Sequence, residues 1–157
     1  MEIVVNEWLL HYMSPESRDL SFSTRFLDFV QSKSILIVIK KPSPFTDKFY
    51  RFCRKHRVSN PKFGKRLALD MSDSKKVKIV SPPDVIPLPD EIQRLFIEKR
   101  IKEDDRYLVE LAHSVPCSVI VTTDSPLVGV LKPFLDERIQ LLNAFCITIG
   151  LAPPSDS

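Results

Sequence analysis

Two kinds of apolar pattern alternate along the chain. "EIVV" (2–5), "SILIVIK" (34–40) and "CSVIVTTD" (117–124) are short, β-branched and nearly continuous in apolar character. Runs of this kind mark strands buried on both faces, as in a parallel sheet. Between them, "FSTRFLDFVQSK" (22–33) repeats Phe22, Phe26, Phe29 and Val30 at helical intervals, which predicts an amphipathic helix. "EWLLHYM" (7–13) has helix character, and "SPFTDKFYRFCRKH" (43–56) predicts a helix capped by Ser43 or Thr46. "PKFGKRLALDM" (61–71) has a weaker helical pattern, and "KVKIV" (77–81) reads as a strand or an irregular segment. "PPDVIPLPD" (82–90) reads as a loop, because proline breaks both periodicities. Helices are predicted over 90–100, with Asp90 as cap, and over 103–114. A short helix starts at 125 with Pro126 in its first turn, a strand covers 138–142, and a last helix starts at Asn143 as cap. Strands alternating with helices predict the α/β class: a three-layer α/β/α sandwich with a mostly parallel central sheet. One domain is expected over 1–150, with a mobile tail over 151–157.

Composition agrees with a soluble globular domain, at 43% hydrophobic and 27% charged residues in a chain of 157. No apolar run approaches the roughly 20 residues of a membrane span, and no basic-then-apolar leader opens the chain, so no membrane association is expected and the cytoplasm is the expected location. Cys53, Cys117 and Cys146 are widely spaced without a CxxC pair, which predicts reduced thiols. His11, His56 and His113 lack metal-ligand spacing. Charge changes the picture more. Between Lys48 and Lys78 lie 11 Lys/Arg and only two acids, Asp70 and Asp73, while the rest of the chain is net acidic. A run of this kind is either a solvated face or a surface for a polyanion. Phe49, Tyr50, Phe52 and Phe63 lie among these bases, either as core or as stacking groups for nucleobases.

Acids punctuate the second half. In "DDRYLVELAHSVPCSVIVTTDSPL" (104–127), Asp104 and Asp105 open a predicted helix and Asp124 ends a predicted strand. Parallel α/β sheets place their sites at the carboxyl ends of strands, where Asn6 also falls. The plainer readings are that Asp104 and Asp105 are first-turn acids favoured by the helix dipole, and that Asp124 caps the next helix.

"DDRYLVELA" followed by "SVIVTTD" resembles the C-terminal half of a PIN domain, with Asp105 and Ala112 at the family's separation and "TTD" ending at Asp124. "EIVVNEWLLHYM" is similar to the family's first strand and helix. The resemblance implies a PIN-like fold and a metal-dependent endoribonuclease, of a toxin or standalone type, that hydrolyses RNA at a carboxylate cluster. It implies Asp105, Asp124 and Asp47 as ligands of Mg²⁺ or Mn²⁺, with Asp104 as a spare acid. Asn6 falls where the family has its first aspartate, a departure that removes one charge. Glu7 is the adjacent acid, and Thr122 and Ser125 flank Asp124 as supporting groups. Lys48, Arg51, Arg54, Lys55 and Arg57 are then the candidates for tracking single-stranded RNA. The resemblance also brings an antitoxin protein and a homodimer into view as partners.

Hard oxygen ligands suit Mg²⁺ or Mn²⁺, which activate water and stabilise the leaving oxygen of a phosphodiester. Asn6 leaves a second reading open: a catalytically degenerate PIN-like domain that binds RNA or a protein without cutting. A phosphotransfer or nucleotide-binding α/β domain is disfavoured, because Gly64, Gly129 and Gly150 are the only glycines and form no phosphate loop.

Overall fold

The computed structural model describes residues 1–12, 19, 21–55 and 61–155. Five parallel strands form one sheet: β1 (Glu2–Val5), β2 (Leu36–Lys40), β3 (Val77–Val80), β4 (Val119–Thr122) and β5 (Ile139–Leu141). Their spatial order is β3-β2-β1-β4-β5. The helices are α1 (Trp8–His11), α2 (Phe22–Ser32), α3 (Pro44–Lys55), α4 (Pro61–Met71), α5 (Asp90–Ile97), α6 (Arg106–Ser114), α7 (Ser125–Leu135) and α8 (Leu142–Ile149). The α/β expectation holds, and the sheet is parallel throughout.

The three inner strands are buried on both faces, which is why their sequences run apolar without alternation. Ile3, Val4, Ile37, Val38, Ile120 and Val121 are each at most 2% exposed. The edge differs. In β3 the inner positions Lys78 and Ile79 face solvent, and a lysine on an open edge discourages pairing with another strand. Aromatic packing joins α1 to α2, with Trp8 edge-on to Phe26 at a centroid distance of 4.9 Å. The Trp8 indole N–H donates to the Val121 carbonyl at 2.8 Å and so ties α1 to β4.

Several boundaries move for identifiable reasons. Strand β2 starts at Leu36 because Ser34, at φ 56°, and Ile35 close α2 by donating to the Gln31 and Val30 carbonyls. The stretch 103–114 divides into a 3₁₀ turn, Glu103–Asp105, and α6. Pro89 stands at the cap position of α5, with Asp90 as its first helical residue, and Leu141 stands at the cap of α8, ahead of Asn143. Ser43 and Thr46 both cap α3: each side-chain oxygen accepts from the other residue's backbone N–H, at 2.9 and 3.3 Å, a reciprocal box. The predicted first helix is one turn long among the described residues, and residue 13, its predicted end, lies outside them. Beyond α8, the Leu151 N–H closes on the Cys146 carbonyl and the Ser155 N–H donates to Asp19 at 3.1 Å. All three cysteines are free thiols, and burial pushes Cys146 up to about 11. Among the described residues no helix is long and apolar enough to cross a membrane.

Phe26 is fully buried against Trp8 and Phe22. Phe26→Ala is expected to cost ~3–5 kcal/mol of stability by removing the ring and leaving a cavity, read by the urea midpoint at an unchanged slope.

Candidate functional site

The strand order reverses between β1 and β4, since β2 and β3 extend the sheet on one side and β5 on the other. Open parallel sheets form a ligand crevice at the carboxyl ends of the strands flanking such a reversal. Here the two ends carry Asn6, just after β1, and Thr122 with Asp124, at the end of β4. They are joined directly, because the Asn6 Nδ2 group donates to Thr122 Oγ1 at 2.9 Å. Thr122 is fully buried, and its hydroxyl oxygen also accepts from the Asp124 backbone N–H at 3.1 Å. The other end of the Asn6 amide, Oδ1, accepts from the Trp8 N–H at 3.3 Å. Asn6 thus locks β1, α1 and β4 together.

Asp124 caps α7 in the plain sense, its Oδ1 accepting from the Leu127 N–H at 3.0 Å. Its second oxygen has no hydrogen-bond partner among the described residues. Asp105 behaves differently. It stands at the cap position of α6 but its side chain makes no capping bond. Its carboxyl is held above the usual carboxylate range by burial, then by the charges of Asp124 and Glu7, with Lys102 opposing and Asp104 adding. The raising acids outweigh the single cation, so Asp105 sits in a field short of positive charge. Helix α6 packs on β1, β2 and β4. Its far end is pinned by Arg138, whose guanidinium donates to the Ala112 carbonyl and to the Ser118 carbonyl just ahead of β4. That clamp fixes where Asp105 lies relative to Asp124.

Glu7, the acid adjacent to Asn6, acts on Asp105 but is engaged: Lys48, on the first turns of α3, forms an ion pair with it. Asp47 lies exposed on the neighbouring position of α3 and is not among the charges acting on Asp105. Asp104 is exposed and adds the smallest of those contributions, and Ser125 is exposed at the start of α7. The structure therefore gathers Asn6, Glu7, Thr122, Asp105 and Asp124, with Lys48 beside them, and leaves Asp47 outside.

Two groups were not singled out from sequence. Tyr107, two residues after Asp105, is 3% exposed, and its phenol has no hydrogen-bond partner among the described residues. Its hydroxyl is raised by burial, then by Glu7 and Asp105. Lys40, which ends β2, pairs with Glu110 of α6 at 3.1 Å. Neither carried a signal in sequence: Tyr107 reads as a core position of an amphipathic helix and Lys40 as a strand end.

A fit to a divalent cation depends on the ligand mode. Among the described residues no three His, Cys, Asp or Glu side chains come together as a set able to hold a metal ion. The cage of Asp105, Asp124, Asp47 and Asp104 is thus not assembled, because Asp47 projects to solvent from α3 and Asp104 lies on the exposed side of the 3₁₀ turn. The donor chemistry does suit the more open mode of Mg²⁺, in which one or two carboxylates hold an ion that keeps much of its water. Asp105 and Asp124 are two such carboxylates.

The basic segment is also sorted by the fold. Arg66 reaches Asp28 at 2.7 Å and Asp70 at 3.7 Å, Lys76 reaches Asp70 at 3.4 Å, and Lys78 reaches Glu2 at 3.7 Å. Arg51 and Arg54 on α3 and Lys62 and Lys65 on α4 are exposed, and none has an ion-pair partner among the described residues. Arg57 and the Lys55 side chain lie outside the described residues. Phe49, Phe52 and Phe63 are core, whereas Tyr50 is 42% exposed among the bases.

Comparison with protein-family models, curated proteins and solved structures finds no match to this chain.

Two substitutions separate the architecture from the chemistry. Thr122→Val removes the acceptor shared by Asn6 and Asp124 and is expected to cost ~1–3 kcal/mol. Asp105→Asn is expected to raise the melting temperature at pH 7. Its folded-state carboxyl is raised, so the charged form is disfavoured by folding above that point, and the penalty disappears as pH falls and the native acid protonates. The advantage of the variant should therefore shrink between neutral and acid pH, measured by thermal melts across that range.

Proposed function

We propose that this chain is a PIN-like domain that holds a hydrated divalent cation, Mg²⁺ or Mn²⁺, between Asp105 and Asp124 and hydrolyses RNA phosphodiester bonds there. The observation that carries the reading is the carboxylate pair at the switch point, half-buried and short of compensating charge. Stability alone does not explain that arrangement: Asp105 makes no cap bond, and its neighbours disfavour its charge.

A divalent cation at that position supplies an activated water and neutralises charge on the phosphodiester. The chain's own residues do the rest. Thr122 and Asn6 hold the two strand ends in register, and the cap on Leu127 orients one oxygen of Asp124 while leaving the other to a ligand. Arg51 and Arg54 offer fixed guanidinium forks to the phosphate backbone, and Tyr50 offers a ring to an unstacked base.

The second reading, RNA binding without cleavage, is favoured by a specific contact. Lys48 pairs with Glu7, so one acid of the crevice already has a counter-ion from the protein itself, and Asn6 carries no charge.

The two readings part in one experiment with a mixed single-stranded RNA pool. Under the nuclease reading, Mn²⁺ raises the melting temperature, and cleavage is lost by at least a hundredfold in Asp105→Asn and Asp124→Asn. Absence of both effects, together with salt-sensitive RNA binding, sinks cleavage and leaves the binding reading. In either case, Arg51→Ala and Arg54→Ala should each lower the slope of log affinity against log salt by about 0.7–1 if they contact phosphates.

A further inference from the structure

We propose that the groove between α4 and the end of α2 binds a run of linked phosphoryl groups. The groove is separate from the carboxylate crevice and does not depend on the cation site proposed above. Lys76 immediately precedes β3, and Gln31 stands in the last turn of α2, ahead of β2. The groove therefore lies toward the amino ends of the parallel strands, whereas Asn6 and Asp124 follow carboxyl ends.

Its volume is about 390 Å³, and its lining carries Lys62, Lys65, Arg66 and Lys76 against a single acid, Asp70. Part of this lining is architecture. Asp70 is 3% exposed, accepts from Gln31 Nε2 at 2.8 Å, and has the Lys76 ammonium at 3.4 Å and the Arg66 guanidinium at 3.7 Å. Gln31 Oε1 in turn accepts from Arg66 at 3.2 Å. This network ties α2, α4 and the start of β3 together, and stability accounts for it. Stability does not account for Lys62 and Lys65. They stand four positions and one position before Arg66 on α4, both are exposed, and neither has an ion-pair partner among the described residues. Asp28 also pairs with Arg66, so four cations face two carboxylates and the groove keeps two positive charges in excess. A cleft lined by one sign of charge focuses its field and gathers counter-charge.

The shape of the cationic wall selects among anions. It runs along α4 from Lys62 to the level of Asp70, roughly 12 Å at 1.5 Å per residue. That exceeds one tetrahedral anion and suits consecutive phosphates. No aromatic ring is in the described lining, so charge along a backbone is recognised there rather than a base. Linked phosphates of this kind come either from a nucleic-acid strand or from a small polyphosphate.

Inorganic tripolyphosphate, titrated calorimetrically into the full chain, tests the site. It is expected to bind more tightly than orthophosphate, with an affinity that falls as salt rises. Lys62→Ala combined with Lys65→Ala is expected to weaken it at least about tenfold, while Arg94→Ala combined with Arg100→Ala, which removes the same charge from exposed positions outside the groove, changes it by less than about twofold. A single-stranded RNA that displaces tripolyphosphate identifies a strand backbone as the occupant; an RNA that fails to displace it identifies a small polyphosphate. Orthophosphate binding as tightly as tripolyphosphate overturns the proposal. So does a wild type that binds neither, or an equal loss in the two double variants, since the lysines are then an ordinary solvated face.

Discussion

Everything about the crevice depends on one oxygen. Thr122 Oγ1 accepts from the Asn6 side chain and from the Asp124 backbone, and it does so fully buried at the end of β4. The first bond ties β1 to β4, the pair between which the strand order reverses. The second bends the chain out of the strand so that Asp124 can cap α7. Backbone pairing alone would hold the strands in register, as Ile3 with Val119 and Val5 with Val121. It would not set where the side chains beyond the strand ends point. The Trp8 indole on the Val121 carbonyl reinforces the same junction from the other side. Polar groups this well satisfied in a buried place specify one arrangement, because any alternative leaves a donor unpaired.

Against that rigid junction stands a set of groups arranged less comfortably. Asp105 is half-buried among other acids, and the Tyr107 oxygen has no hydrogen-bond partner among the described residues. Elsewhere local needs are met: α3 has its reciprocal cap, and Arg66 of α4 finds Asp28 and Asp70. Groups left incomplete at a topological switch point are where a functional reading is best placed, since affinity for a ligand requires them.

The sequence disclosed the architecture more fully than the site. Buried strands such as 36–40 and 119–122 are legible because their apolar runs are too short for helices and too continuous for an exposed sheet. Asp105 and Asp124 were legible from their positions at element ends, and the structure puts both in the crevice. Asp47 was not, because a residue in the first turn of a helix points inward or outward according to how that helix is rotated on the sheet. Rotation is set by Phe45, Phe49 and Phe52 taking the core, which turns Lys48 toward Glu7 and Asp47 toward water. Tyr107 was invisible for the opposite reason. Its ring obeys the helical pattern perfectly well, and only the missing partner of its oxygen, a fact about neighbours distant in sequence, distinguishes it from a core aromatic. The basic segment shows the same limit, since its charge count cannot separate Arg66, committed to Asp28 and Asp70, from Arg51, which faces solvent.

Charge balance explains why the neutral Asn6 sits comfortably in this crevice. Asn6 is uncharged and Glu7 is paired with Lys48, whereas neither Asp105 nor Asp124 has an ion-pair partner among the described residues. Two such charges match one divalent cation. A further acid at position 6 would raise the repulsion already acting on Asp105. It would also reverse the bond to Thr122, since a carboxylate only accepts and the hydroxyl would have to donate to it. The amide instead donates, leaving the threonine oxygen as the acceptor on which both strand ends converge. Asn6 therefore supplies, without a charge, the hydrogen bond that fixes the crevice. That arrangement is compatible with a single hydrated ion held by two carboxylates, and it is incompatible with a cage that depends on a charged ligand from β1.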